Sequence, residues 1–220
     1  MDLIKYGFSA AESSLVKRLK TPEKIQRFID NNLIYDPERE NRSVLDVIRD
    51  RKAECFNGAL FAFTCLLYHG YECTIIELSA RRDEEHMLAV FKKDGNYGSI
   101  AKSKFLGLKF RHPIYQSLRD LAVSYMEFYI AFDGRYSLQS YSQWKDFTKY
   151  KFRYLNNSYV VNRIAFDLHK SKHINLINHN TLEYLADPKR YWCEVDTIPP
   201  GIKIPKKYLK IDNRRRLLNR

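Results

Sequence analysis

No stretch of this chain approaches the roughly 18–20 uncharged apolar residues that a membrane span needs. The longest apolar segment, Gly58 to Tyr68, is interrupted by Thr64 and ends at His69. The opening residues, Met1-Asp2-Leu3-Ile4-Lys5, offer neither the basic nor the apolar region of a secretory signal. A cytoplasmic protein without membrane contact is expected. Cysteine is scarce: Cys55, Cys65, Cys73 and Cys193 form no CxxC pair and no zinc-type spacing. Too few for a disulfide framework, they read as free thiols in a reducing compartment. Glycine is also sparse, with 8 residues scattered and no phosphate-cradling loop. Nothing in these patterns indicates a metal, nucleotide or organic cofactor. No repeat, low-complexity tract or Gly/Ser/Pro-rich linker divides the chain, so a single domain over residues 1–220 is predicted.

Core-forming residues, by contrast, are plentiful. Hydrophobic residues make up 45%, with 13 Phe and 16 Tyr, which excludes a disordered chain. The formal charge is +12, and the excess is uneven. From Lys145 to Arg220 there are 17 Lys/Arg against 7 Asp/Glu. This basic extension, about residues 145–220, is either a solvated surface or a face for nucleic acid or an acidic protein.

Local signals give an order of elements. Thr21-Pro22-Glu23 starts a helix with a hydroxyl cap, proline at the first turn and an acid near the positive end. Ile25, Phe28 and Ile29 continue it to about Asn32. Asp36-Pro37 marks a loop, and Ser43 caps a short helix through Val44, Val47 and Ile48. Asn57 to His69 carries a broad apolar stripe and stops at Gly70. Glu72 to Leu78 reads as a strand, followed by a polar turn from Arg81 to Glu85 and an apolar strand from His86 to Phe91. Asp94-Gly95 is a hairpin turn, with Tyr97 to Ser103 returning. Ile114, Leu118, Leu121, Ala122 and Tyr125 recur at helical spacing, and a further helix is expected over Val160 to His169. Ile198-Pro199-Pro200 and Ile204-Pro205 punctuate an extended segment before the basic Arg214-Arg215-Arg216. The order is that of an α+β fold: N-terminal helices, a central helix on a mostly antiparallel sheet, and a helical, basic C-terminal region.

One pair of residues in this frame has chemical potential. Cys55 begins the most buried helix, where unpaired N–H groups and the helix dipole favour thiolate over thiol. Arg51 and Lys52 are expected to add positive charge. His86 heads a strand that packing can bring beside the helix start, and imidazole takes a proton at neutral pH. If Asp94 and Gly95 are the two turn residues, Lys93 faces Asn96. Counting back along both strands then sets His86 opposite Ser103, whose hydroxyl would orient the ring. A one-residue slip would set Lys102 or Lys104 there, neither of which accepts a hydrogen bond.

The stretches Arg51-Lys52-Ala53-Glu54-Cys55-Phe56-Asn57-Gly58-Ala59-Leu60-Phe61-Ala62 and Asp83-Glu84-Glu85-His86-Met87-Leu88-Ala89-Val90-Phe91 resemble the transglutaminase-like core. That superfamily has a papain-like thiol fold. Its central helix begins with a Cys, a His follows on a strand, and an Asp or Asn lies on the next strand. Tyr97 to Phe105 and Arg111-His112-Pro113-Ile114-Tyr115 are similar to a little-characterised microbial subgroup. The resemblance covers about residues 21–129. It implies an acyltransferase or hydrolase that acts on a peptide or other amide through a Cys55 thioester, with His86 as base and then acid. The superfamily also contains members without activity, so a binding module is its other implication. At the third position this chain departs from the pattern: Ala101 stands where the classical Asp is expected, and Lys104 where the subgroup has Asn. Ser103 is left as the provisional third member.

Overall fold

The computed structural model describes residues 1–36, 41–81, 83–131 and 136–177. Three short helices lead: α1 (Ala10–Arg18), α2 (Pro22–Asn32) and, after the two-residue strand β1 (Ile34–Tyr35), α3 (Val44–Asp50). Each begins at a hydroxyl cap. Ser9 and Ser43 exchange reciprocal bonds with Glu12 and Asp46, and Thr21 Oγ1 accepts from Lys24 N–H. The strand β2 (Lys52–Ala53) pairs in parallel with β1 and leads into the central helix α4 (Cys55–Tyr68).

A six-stranded sheet follows. Its strands are β3 (Cys73–Ala80), β4 (His86–Lys93), β5 (Asn96–Ile100), β6 (Arg111–Tyr115), β7 (Leu138–Ser142) and β8 (His173–Asn175), in the order β6-β5-β4-β3-β7-β8. Every pairing within it is antiparallel. Two more helices, α5 (Leu118–Val123) and α6 (Ser158–His169), complete a mixed α+β fold with six α-helices among the described residues. None of these helices is long and apolar enough to cross a membrane.

Strand periodicity divides the core in two. Ile75, Met87, Ala89, Phe91 and Ile100 face α4, which is buried from Phe56 through Leu66. Ile76, Leu78, Leu88 and Val90 face the other way and pack with Leu121, Ala122, Tyr125 and Tyr129. Gly70, at φ +80°, closes α4 by donating its N–H to the Leu67 carbonyl at 3.1 Å, as the glycine signal predicts. Asp94 and Gly95 both take positive φ, and Lys93 pairs with Asn96, so the hairpin register is the one its turn dictates.

The structure corrects two of the expected elements. Ile114 belongs to the edge strand β6 and is exposed, while the helix is limited to Leu118–Val123 with Ser117 as its cap. An edge strand tolerates Pro113, which has no N–H to give a ladder. The returning strand ends at Ile100 rather than Ser103. Its backbone leaves the sheet because the Gln26 side chain takes both groups of Ala101, donating to its carbonyl at 2.9 Å and accepting from its N–H at 3.0 Å. Lys102 then donates to the Ile29 and Leu33 carbonyls at the end of α2. This segment crosses the start of α4 so closely that a Cβ on Gly58 would lie 2.4 Å from Lys102 Cβ. The proline-punctuated segment and Arg214-Arg215-Arg216 lie outside the described residues, as does Pro37.

Candidate active site around Cys55

Cys55 is the first residue of α4, and Glu54 is its cap. Asn57 N–H donates to Glu54 Oε1 and Phe56 N–H to Oε2, each at 2.7 Å. The Cys55 thiol donates to the same Oε2 at 3.1 Å. The helix start therefore holds a carboxylate, and the thiol sits beside it. Burial first, then the Glu54 charge and its hydrogen bond, push the thiol well above its ordinary range. The backbone N–H groups of Met87 and Phe56 act in the opposite sense without overcoming this. The positive charges expected from Arg51 and Lys52 are directed elsewhere. Arg51 lies over the Phe28 ring, and Lys52 pairs with Asp36 at 3.7 Å. The favourable dipole read from sequence is thus outweighed by a neighbouring acid.

The influence of Met87 N–H on the thiol places the start of β4 close to Cys55. Beyond Ala89, which pairs with Ile100, β5 has ended, so this part of β4 has no strand partner on that side, although it stays buried. His86 is the residue before Met87 and is buried. Its side chain follows the strand alternation to the opposite face from Met87. There its Nε2 lies 2.7 Å from the Leu108 carbonyl oxygen. A carbonyl can only accept, so Nε2 carries the proton and Nδ1 of the neutral ring carries the lone pair. Burial, with a further contribution from Arg111, lowers the imidazole to about 4, so the ring is neutral at pH 7. Among the described residues no hydrogen bond joins Cys55 to His86. The thiol faces Glu54 and the ring Nε2 faces Leu108.

Ser103 does not stand opposite His86. Its hydroxyl accepts from Phe105 N–H at 3.0 Å, in the segment that Gln26 has drawn off the sheet. The Leu108 carbonyl occupies the role assigned to it. A main-chain carbonyl has no signature in sequence, because every residue carries one.

Two further side chains belong to this neighbourhood. Tyr125 is fully buried, and its hydroxyl is shared with Ser99 Oγ at 2.7 Å and donates to the Lys109 carbonyl at 2.8 Å. Tyr129, one turn later in sequence, is 2% exposed, and among the described residues its hydroxyl has no hydrogen-bond partner. Burial raises this phenol far above its usual value, and the next largest influence is the charge of Cys55, so the two groups are close enough to interact. Sequence reasoning passed over Tyr129. The recurrence of Tyr125 and Tyr129 at helical spacing is the signal that could have found it. Glu54 was legible as a polar residue before the helix, but glutamate is not a usual cap.

The arrangement can hold a protonated thiol, a neutral imidazole with a fixed tautomer, a main-chain N–H of Met87 close to the sulfur and an unused phenol donor. Compared with known proteins, the chain matches no family model and no curated protein.

Proposed function

We propose that this chain is a transglutaminase-like thiol enzyme acting on amide bonds, with Cys55 as nucleophile and His86 as base. One observation carries the reading: the Leu108 carbonyl holds His86 Nε2–H and so leaves the lone pair on Nδ1. A general base for a thiol needs that lone pair and needs its tautomer held by a third group. Because the thiol is protonated at rest, its proton passes to His86 as the S–C bond forms, not beforehand. Sulfur attacks the amide carbonyl carbon, and Nδ1 takes the thiol proton across the start of β4, where no hydrogen bond joins the two groups at rest, and returns it to the departing amine. A thioester remains on Cys55. Water then hydrolyses it, or a second amine takes the acyl group. Met87 N–H and the Tyr129 hydroxyl are the donors available as negative charge develops.

A second reading is favoured by the Glu54 contact, which opposes thiolate formation. On that reading the fold serves as a catalytically inactive binding module, and the basic C-terminal third contacts nucleic acid or an acidic protein.

An activated ester such as p-nitrophenyl acetate separates the two. The enzyme reading expects one acetyl group per chain on Cys55, none on Cys55→Ala, and acylation slowed about 10²–10⁴-fold by His86→Ala. Acylation indifferent to His86, combined with salt-sensitive binding of nucleic acid that survives Cys55→Ala, would establish the second reading instead.

A further inference from the structure

Away from the thiol, four potential ligands converge from four segments. Glu77 stands in β3 and is 1% exposed. Its Oε1 lies 3.6 Å from His169 Nδ1 and 3.8 Å from His173 Nε2. Glu85, just before β4, brings its Oε2 to 3.7 Å from His169 Nδ1. The ligand atoms of Glu77, Glu85 and His169 all lie within 4.8 Å of one another.

These separations are too long for hydrogen bonds. Among the described residues, the second Glu77 oxygen and His173 Nε2 are both buried without a hydrogen-bond partner. A simple carboxylate–imidazolium pair does not account for that, because it leaves both orphans in place. A buried polar atom without a partner is costly, and both of these atoms belong to side chains of the cluster.

From this geometry we infer that Glu77, Glu85, His169 and His173 form a binding site for a divalent transition metal of the zinc type. In a tetrahedral zinc site with bonds of about 2.0–2.1 Å, neighbouring donors lie about 3.3 Å apart. The three carboxylate–imidazole separations of 3.6, 3.7 and 3.8 Å exceed this by a few tenths of an ångström. His173 stands outside the group of three whose ligand atoms lie within 4.8 Å of one another, so its ring has to shift to complete the shell. Two imidazole nitrogens and two carboxylates suit zinc and its neighbours, whereas calcium and magnesium take oxygen shells. The surrounding groups are in keeping. Ser140 Oγ is 3.0 Å from His173 Nδ1. As acceptor of Nδ1–H it leaves the Nε2 lone pair toward Glu77, the usual way an outer partner fixes a ligating imidazole. Ser142 Oγ accepts from Glu77 N–H at 2.9 Å, which anchors the strand beneath the carboxylate.

An ion here would tie the end of α6 and the edge strand β8 to β3. It would also fix the residue preceding His86. The site is independent of the acylation reading, so failure of one leaves the other intact.

The test is equilibrium dialysis of the full chain against Zn²⁺, with Co²⁺ as a spectroscopic probe. One Zn²⁺ per chain is expected, and bound Co²⁺ should show tetrahedral d–d bands without a thiolate charge-transfer band. His169 and Glu85 are substantially exposed, so His169→Ala and Glu85→Gln leave the core intact. Each should weaken binding by at least ~10-fold, as should Ser140→Ala if it orients His173. Cys55→Ala should bind as the wild type does. Absence of stoichiometric binding, binding unchanged by both ligand substitutions, or a thiolate band in the Co²⁺ spectrum would overturn the site.

Discussion

Cys55 and Cys65 lie on the same helix and are both raised by burial, yet their surroundings have little in common. Cys65 is completely buried, and burial alone acts on it. It is a small apolar residue in a packed layer with Leu66 and Ala62. At Cys55 burial is joined by a carboxylate that raises the thiol and two N–H groups that lower it. An unpartnered phenol and a histidine of fixed tautomer stand nearby. A thiol placed only for packing needs none of these groups. The contrast teaches that a raised pKa does not by itself separate a structural cysteine from a chemical one; the company of polar atoms does.

Glu54→Gln sharpens the contrast most. Removing the negative charge lowers the Cys55 pKa, so its pH profile of alkylation by a neutral reagent moves to lower pH. The rate at pH 8 should rise by about tenfold or less, since thiolate fraction increases while intrinsic nucleophilicity falls. Cys65 should remain unlabelled in the native protein under both conditions. Peptide mapping after alkylation reads both sites at once.

Tyr129→Phe has a smaller effect with two opposite parts. Deleting a buried hydroxyl that has no partner should leave stability unchanged or raise it by about 1 kcal/mol, seen as an increase in denaturation midpoint. The same substitution should slow acylation of Cys55, because a donor near the sulfur is lost. Unchanged acylation would reduce Tyr129 to a packing residue and leave Cys55 closer to Cys65 than claimed.

The sequence made some of this legible and concealed the rest for physical reasons. Asp94-Gly95 announced the hairpin and its register, because a two-residue turn with both φ positive has few alternatives. Gly70 and the caps Thr21 and Ser43 likewise act through local geometry. The Ser9 and Glu12 capping box that starts α1 is an equally local signal. What could not be read were effects over long separations. Gln26 pulls Ala101 off the sheet from 75 residues away, and that contact displaces Ser103. Leu108 contributes a backbone atom, invisible to any side-chain pattern. The four proposed metal ligands come from separate segments, so no short spacing marks them; only His169 and His173 are near neighbours in the chain.

The most direct measurement is the tautomer of His86, read from long-range ¹H–¹⁵N correlations of the imidazole at pH 7. The account predicts a neutral ring with Nε2 protonated and Nδ1 bare, the form able to accept the Cys55 proton. A ring protonated at Nδ1, or an imidazolium, would contradict it and remove the base from the proposed chemistry.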